Sequence, residues 1–400
     1  MNKDNYTAKA RFYLDFLCNV KPNRRTGSLG NRDATDFFAN TVRAYGYEVD
    51  ATPFECLDHI CNGAILSQEE AYEVYASPYT MGCDALAELI AVSTIEELEN
   101  IDCEGKILLI KGAICKEQLM PKNFVFYNPE HHQKIIALLE SRKPAGIITA
   151  TEKKPEQAGA LYPFPLIVDG DFDIPSVYCK DIVGDILAIT HGLFRLKIDA
   201  IRISSRATNI IARLNSNAPR KVVITAHIDA YEGSPGASDN ASGIIVLLLC
   251  AQMLSDYRGE NCIEIVALNG EDHYSAGGQM DYLKRYGTEM PKIMLAINID
   301  DVGYKIGRTA YSFYECPLSL EKKAEDVFLR FNSLASGEQW FNGDHMIFAQ
   351  NQVPSMAFTS ERMADLMKTV THTSLDTPDL IDCYKLVEVA ESLNAVVRSI

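Results

Sequence analysis

A chain of 400 residues, 47% hydrophobic and 23% charged, has room for two domains or one large one and the composition of a globular protein with a sizeable core. Its formal net charge of −16 argues against nucleic acid as a partner, because phosphates call for a basic surface. The longest apolar run, 244–251, is far below the roughly 20 residues that span a bilayer, so no membrane segment is expected.

In chain order, residues 5–19 and 31–45 carry the apolar spacing of amphipathic helices, and a strand is expected over 47–54, after the helix stop at Gly46. The character then changes. Short β-type runs at 106–110, 146–149 and 174–178 are separated by Gly, Pro and charged loops, with a helix near 132–141. From about residue 203 strands and helices alternate. Strands are expected at 209–214, 221–226, 263–268 and 294–299, with a helix at about 241–254. This alternation predicts an α/β fold with a mixed central sheet covered by helices on both faces. The N-terminal helices cover the same sheet, so residues 1–54 and 203–400 form one domain and residues 55–202 an inserted, smaller, β-rich one. No export signal is read at the start, where Phe12-Tyr13-Leu14-Asp15-Phe16-Leu17 is short and carries a charge. Eleven cysteines without a framework suit a reducing cytoplasm. Cys56 and Cys61 flank His59, but no second Cys or His pair stands near to complete a zinc knuckle.

Polar residues collect where the buried runs end. His227 and Asp229 follow 221–226, Glu271 and Asp272 follow 263–268, and Asp300 and Asp301 follow 294–299. Asp239 and His372 lie in loops. In open α/β sheets, function gathers outside the carboxyl ends of the strands. Acids converging there repel one another unless a cation neutralises them. Two imidazoles with carboxylates suit zinc or another borderline divalent metal, and one carboxylate can bridge two ions. Taken singly, each of these residues reads more readily as a helix cap, a loop solvator or a core histidine; the joint pattern is what points to a metal.

The segment H-I-D-A-Y-E-G-S-P-G-A-S-D-N-A-S-G from His227 to Gly243 resembles the signature of the zinc-dependent aminopeptidase and glutamate-carboxypeptidase-like family with co-catalytic metals. So do N-G-E-D at Asn269, N-I-D-D-V-G at Asn298, D-H-M-I-F at Asp344 and H-T-S-L-D-T at His372, in the family's order. R-T-G-S at Arg25 and Y-G-Y-E-V at Tyr45 are similar to the family's opening, and E-G-K-I-L-L-I at Glu104 with A-G-I-I-T-A at Ala145 resembles a protease-associated domain. The resemblance implies two divalent ions, zinc by the family's habit. It puts His227 and Asp300 on one, Asp272 and His372 on the other, and Asp239 between them as the bridge. It also implies that Glu271 is the general base and that Asp229 orients His227.

Two departures stand out. The second acid of the pair is commonly Glu and here is Asp272. Some members carry a Tyr just before the last His, where this chain has Thr371. Asp344 and His345 match a motif near the substrate pocket and equally read as a buried structural pair. The expected activity is that of an aminopeptidase acting on peptides. Carboxypeptidase action, glutaminyl cyclisation and a non-catalytic binding protein of the same fold are the alternatives. A homo-oligomer is left open. No G-x-S-x-G elbow or G-x-G-x-x-G fingerprint supports a serine hydrolase or a dinucleotide enzyme.

Overall fold

The computed structural model describes residues 3–273 and 276–400. The chain divides into two compact units, one of residues 1–56 and 206–400, the other of residues 57–205.

In the first unit, four mutually parallel strands form the centre of the sheet, in the order Ser355–Ser360, Ile293–Ile299, Lys221–His227, Cys262–Leu268. Antiparallel neighbours flank them. Thr309–Tyr314 pairs with Ser355–Ser360 on one side, and residues 210–214, the end of the long strand Leu193–Leu214, pair with Cys262–Leu268 on the other. Lys221–His227 is buried along its whole length, as a strand covered on both faces must be. Val222, Ile224 and Ala226, with Ile263, Ile265 and Ala267 and with Leu295, Ile297 and Ile299, face one core. The helices Lys3–Asn19, Ser242–Met253 and Cys383–Ser399 supply the other side of that core through Leu14, Leu17, Leu247, Leu248, Leu386 and Leu393. Ser242–Met253 is apolar all round and its residues 242–251 are all buried, which is why it shows no polar face.

The sheet's opposite face carries Glu264, whose Oε1 accepts a hydrogen bond from Tyr282 of the helix Gly277–Tyr286. Helices therefore lie on both faces, as the strand–helix alternation predicts, and the expected helices are found at Lys3–Asn19 and Leu29–Ala44. Ser28 caps the second, its Oγ accepting from Asn31 N–H.

The unit of residues 57–205 has a parallel run of strands. Cys83–Val92, Ile107–Ile110, Gly146–Thr151 and Ser176–Lys180 run parallel in that order. The helix Glu130–Arg142 supplies Ile135, Ile136 and Leu139 to one apolar cluster, and Asp181–Ile189 supplies Leu187 to another. The strand expected over 47–54 is much longer, Glu48–Ser67. Its second half exposes residues of both faces and shows no clean alternation, so the sequence carries no signal for it.

Candidate metal centre

The seven residues to which the resemblance gives a role all lie in the first unit, at or beyond the carboxyl ends of the parallel strands. His227 ends its strand, Glu271 and Asp272 follow Cys262–Leu268, and Asp300 follows Ile293–Ile299. The run from His227 to Tyr231 leaves the sheet with a period of two. Ile228 and Ala230 are buried, while His227, Asp229 and Tyr231 reach the site.

Asp239 sits between two sets of donors. His227 Nε2 lies 3.2 Å from Asp239 Oδ1 and 3.5 Å from Asp300 Oδ1. His372 Nε2 lies 3.4 Å from Asp239 Oδ2 and 3.2 Å from Asp272 Oδ1. Donor atoms held at about 2.05 Å by one tetrahedral zinc ion stand about 3.3 Å apart, so both sets have the spacing that a cation imposes. Within each set of three the donor atoms all lie within 4.8 Å of one another. His227 Nδ1 and Nε2, Asp272 Oδ2 and Asp300 Oδ1 are buried without an aligned hydrogen-bond partner. Buried polar atoms rarely go unpaired, and of these His227 Nε2 and Asp300 Oδ1 are donors of one set, 3.5 Å apart, so the residues present would fit two divalent ions, with Asp239 common to both sets.

The electrostatics agree. Burial opposes protonation of His227, but Asp300, Asp229 and Asp239 outweigh it and hold the imidazole's pKa well above its ordinary value. His372 is raised in the same way against burial, by Asp272 and Asp239. Asp272 is pushed up to about 6 by burial and by Asp239. Glu271 is raised well above the usual carboxylate range, first by burial and then by Asp272, Asp344 and Asp300, with His227 opposing. Such a crowd of acids is a site short of positive charge.

Asp229 does more than face His227, whose Nδ1 is 3.7 Å from its Oδ1, beyond hydrogen-bond reach. Its carboxylate accepts the backbone N–H groups of Gly270 at 2.8 Å, Glu271 at 3.3 Å and Asp272 at 3.2 Å, and the Thr26 hydroxyl at 3.1 Å. It therefore staples the turn that presents the acid pair. Gly270, at φ +91°, is in the conformation that lets that turn form.

Four further residues shape the site. Asp376, fully buried, accepts Ser238 N–H at 2.8 Å and Asp239 N–H at 3.0 Å, which fixes the bridging residue. Arg24 donates to the carbonyls of Ile228, Pro235 and Gly236 and so anchors the same loop. At Gly236, φ +62°, a Cβ would come 2.7 Å from Arg24 Nη2 and 2.4 Å from Asp239 O, so only glycine fits. Tyr231 stacks on His372 with ring centres 4.6 Å apart and planes 15° apart. These contacts join residues far apart in the chain; Tyr231, Gly236 and Asp376 lie inside the quoted motifs, while Arg24 lies just before the R-T-G-S segment. Asp344 is buried with Oδ2 unpartnered and Oδ1 accepting from Gln279. Burial, opposed by His227 and the Gln279 hydrogen bond and reinforced by Asp300 and Asp229, pushes it up to about 7. Its neighbour His345 gives Nε2 to the Trp340 carbonyl at 2.9 Å and packs on Trp340 and Tyr314, a structural role. Thr371 is buried with its hydroxyl unpartnered.

In the other unit, Glu117 Oε1 meets His131 Nε2 at 2.9 Å and His132 Nε2 at 3.0 Å. His132 Nδ1 already accepts Met120 N–H at 3.1 Å. The ring proton of neutral His132 therefore sits on Nε2 and goes to Glu117, which leaves no lone pair there for an ion.

Comparisons with known proteins follow this geometry. The Aspergillus oryzae protein named "probable leucine aminopeptidase 2" is 23% identical over 283 residues, 70% of this chain and 54% of that one. The chain thus spans about half the length of the curated relatives it matches. An aminopeptidase from Aneurinibacillus sp. strain AM-1 superposes with a TM-score of 0.75 at 21% identity, covering 98% of this chain and 93% of that one. A zinc aminopeptidase from Bacillus subtilis superposes with a TM-score of 0.76 at 20% identity, covering 98% and 95%. The fold is therefore that of zinc aminopeptidases. Residues 209–397, which carry the seven residues to which the resemblance gives a role, match the model of peptidase family M28.

Proposed function

We propose that the chain is a metal-dependent exopeptidase that removes N-terminal residues from peptides, with two zinc ions as its cofactor. The observation that carries this reading is the Asp239 carboxylate set between two groups of donors at tetrahedral spacing, with Glu271 beside them. Two divalent cations bound there supply Lewis acidity, which brings the pKa of a water towards roughly 7 and polarises a carbonyl.

Glu271 belongs to neither donor set, so its carboxylate is left for proton transfer. Burial raises it first and Asp272, Asp344 and Asp300 add to that, so cations that neutralise Asp272 and Asp300 favour its ionised form. It then takes the proton of the attacking water at its carboxylate and returns it to the leaving amine. Asp229 holds the backbone of residues 270–272, and with it the distance between base and ligand. The aminopeptidase names of the relatives support action at a free N-terminus over carboxypeptidase action or glutaminyl cyclisation. The reading of the inserted unit as a protease-associated domain is supported by its forming a compact unit of its own. A cytoplasmic setting is supported by the eleven cysteines, which follow no disulfide framework in the sequence.

A panel of aminoacyl-p-nitroanilides, N-blocked peptides and N-terminal glutaminyl peptides, assayed with zinc, cobalt or manganese, tests the activity. Release of the anilide from free N-termini alone is expected. Turnover confined to blocked peptides, or cyclisation without hydrolysis, would replace the aminopeptidase reading.

A further inference from the structure

The two histidines of the metal centre are held by different means. His227 ends a buried strand and has Asp229 behind its Nδ1. His372 lies in a loop, at φ +65°, with its side chain 22% exposed against 2% for His227. What covers a face of its imidazole is the Tyr231 ring, nearly parallel at 4.6 Å. A ring on a loop loses rotamer freedom when it is fixed, and an aromatic stack is one way to fix it without using either nitrogen. Tyr231 lies on the stretch His227-Ile228-Asp229-Ala230-Tyr231, so the segment that supplies one ligand also backs the ligand of the other position.

We propose that Tyr231 is a positioning residue: its stacked ring sets the orientation of His372, and through it the affinity of the Asp239, Asp272 and His372 position. This rests on the two-ion reading. The aromatic face is the working part and the phenol oxygen is not. The position of His227, Asp239 and Asp300 does not depend on Tyr231. Groups that orient a metal-bound histidine change affinity by about 10- to 100-fold when removed, which sets the size of the effect.

The test is calorimetric titration of the full, ion-free chain with zinc, for the native protein and for Tyr231→Phe, Tyr231→Leu and Tyr231→Ala. The native protein takes two equivalents. Tyr231→Phe keeps both constants within about two-fold. Tyr231→Ala keeps one and loosens the other about ten-fold or more. Tyr231→Leu, which fills the space without an aromatic face, loosens the same equivalent and guards against a folding defect in the alanine variant; circular dichroism of the ion-free proteins checks the fold. In ion-free protein, the His372 ring protons lose their upfield ring-current shift in both aliphatic variants. Unchanged constants in a folded Tyr231→Ala, equal loosening of both equivalents, or a Tyr231→Phe as weak as Tyr231→Ala would each overturn the proposal. Fewer than two equivalents in the native protein would instead overturn the two-ion reading on which it stands.

Discussion

Two buried clusters of charge lie on the same sheet of the first unit, and they are built in opposite ways. On Cys262–Leu268, Glu264 is fully buried, yet its carboxylate accepts from Arg213 Nε at 2.8 Å, Lys221 Nζ at 3.1 Å and the Tyr282 hydroxyl at 2.8 Å. Lys221 also reaches Glu289 at 2.8 Å. That cluster is complete in itself. Just beyond the carboxyl end of the same strand, Asp229, Asp239, Glu271, Asp272, Asp300, Asp344 and Asp376 crowd together. Their counter-charges there are His227 and His372, with Arg24 holding the outer side of the loop. Both clusters incur the cost of burial. A satisfied cluster is architecture. An unsatisfied one, with orphaned donors at the spacing of a coordination shell, is a binding site.

The comparison breaks first at Asp239. Asp239→Ala removes the only carboxylate common to both donor sets, and metal analysis of the purified variant should find neither ion and no hydrolysis. Retention of two ions would mean that the bridge is elsewhere. Glu271→Gln is next in size: hydrolysis should fall by about 10²- to 10⁴-fold while ion content stays at two. Near-native turnover with full ion content would remove Glu271 as the base.

On the architectural side, Glu264→Ala leaves Arg213 and Lys221 facing a hole. Denaturant unfolding should show a loss of about 3–5 kcal/mol, with ion stoichiometry unchanged in the folded fraction. A loss below about 1 kcal/mol would make Glu264 no more than a surface-grade pair.

The smallest effect concerns the uncompensated acids. Asp344 has a folded-state pKa of about 7 against an ordinary value of 3.8, so the folded protein binds the extra proton between those limits. Its penalty is absent below about pH 4, grows as pH rises, and is complete above about pH 7. Ion-free Asp344→Asn should therefore melt close to the native protein at pH 4 and a few degrees above it at pH 8. Parallel melting temperatures across that range would show that Asp344 is not held protonated.

The site was legible because its ligands stand in short polar segments directly after fully apolar runs, and that contrast survives without a structure. His227, Glu271, Asp272 and Asp300 are such residues, while Asp239 and His372 carried a signal through the motifs around them. The contacts that hold those ligands in place were not legible. Asp376 meets Asp239 across 137 positions, and Arg24 meets Gly236 across 212. Such contacts depend on the closed fold and leave no periodicity. Three of the four central strands, Lys221–His227, Cys262–Leu268 and Ile293–Ile299, were read for the same reason as the ligands, being largely apolar, while the more polar Ser355–Ser360 went unread. Helices such as Gly277–Tyr286 and Leu318–Phe328 bury only a narrow stripe and went unread. The role of Asp229 shows the limit from the other side: its place near His227 was readable, but its three bonds to the backbone of residues 270–272 were not.

The central claim is that the acid-rich cluster is completed by two ions and that hydrolysis needs them. Following aminoacyl-p-nitroanilide turnover while zinc is added back to chelator-stripped protein tests it most directly. The account predicts no turnover without metal and a rise that levels off at two equivalents per chain. Undiminished turnover in the stripped protein, or a plateau reached with no ion bound, would contradict it.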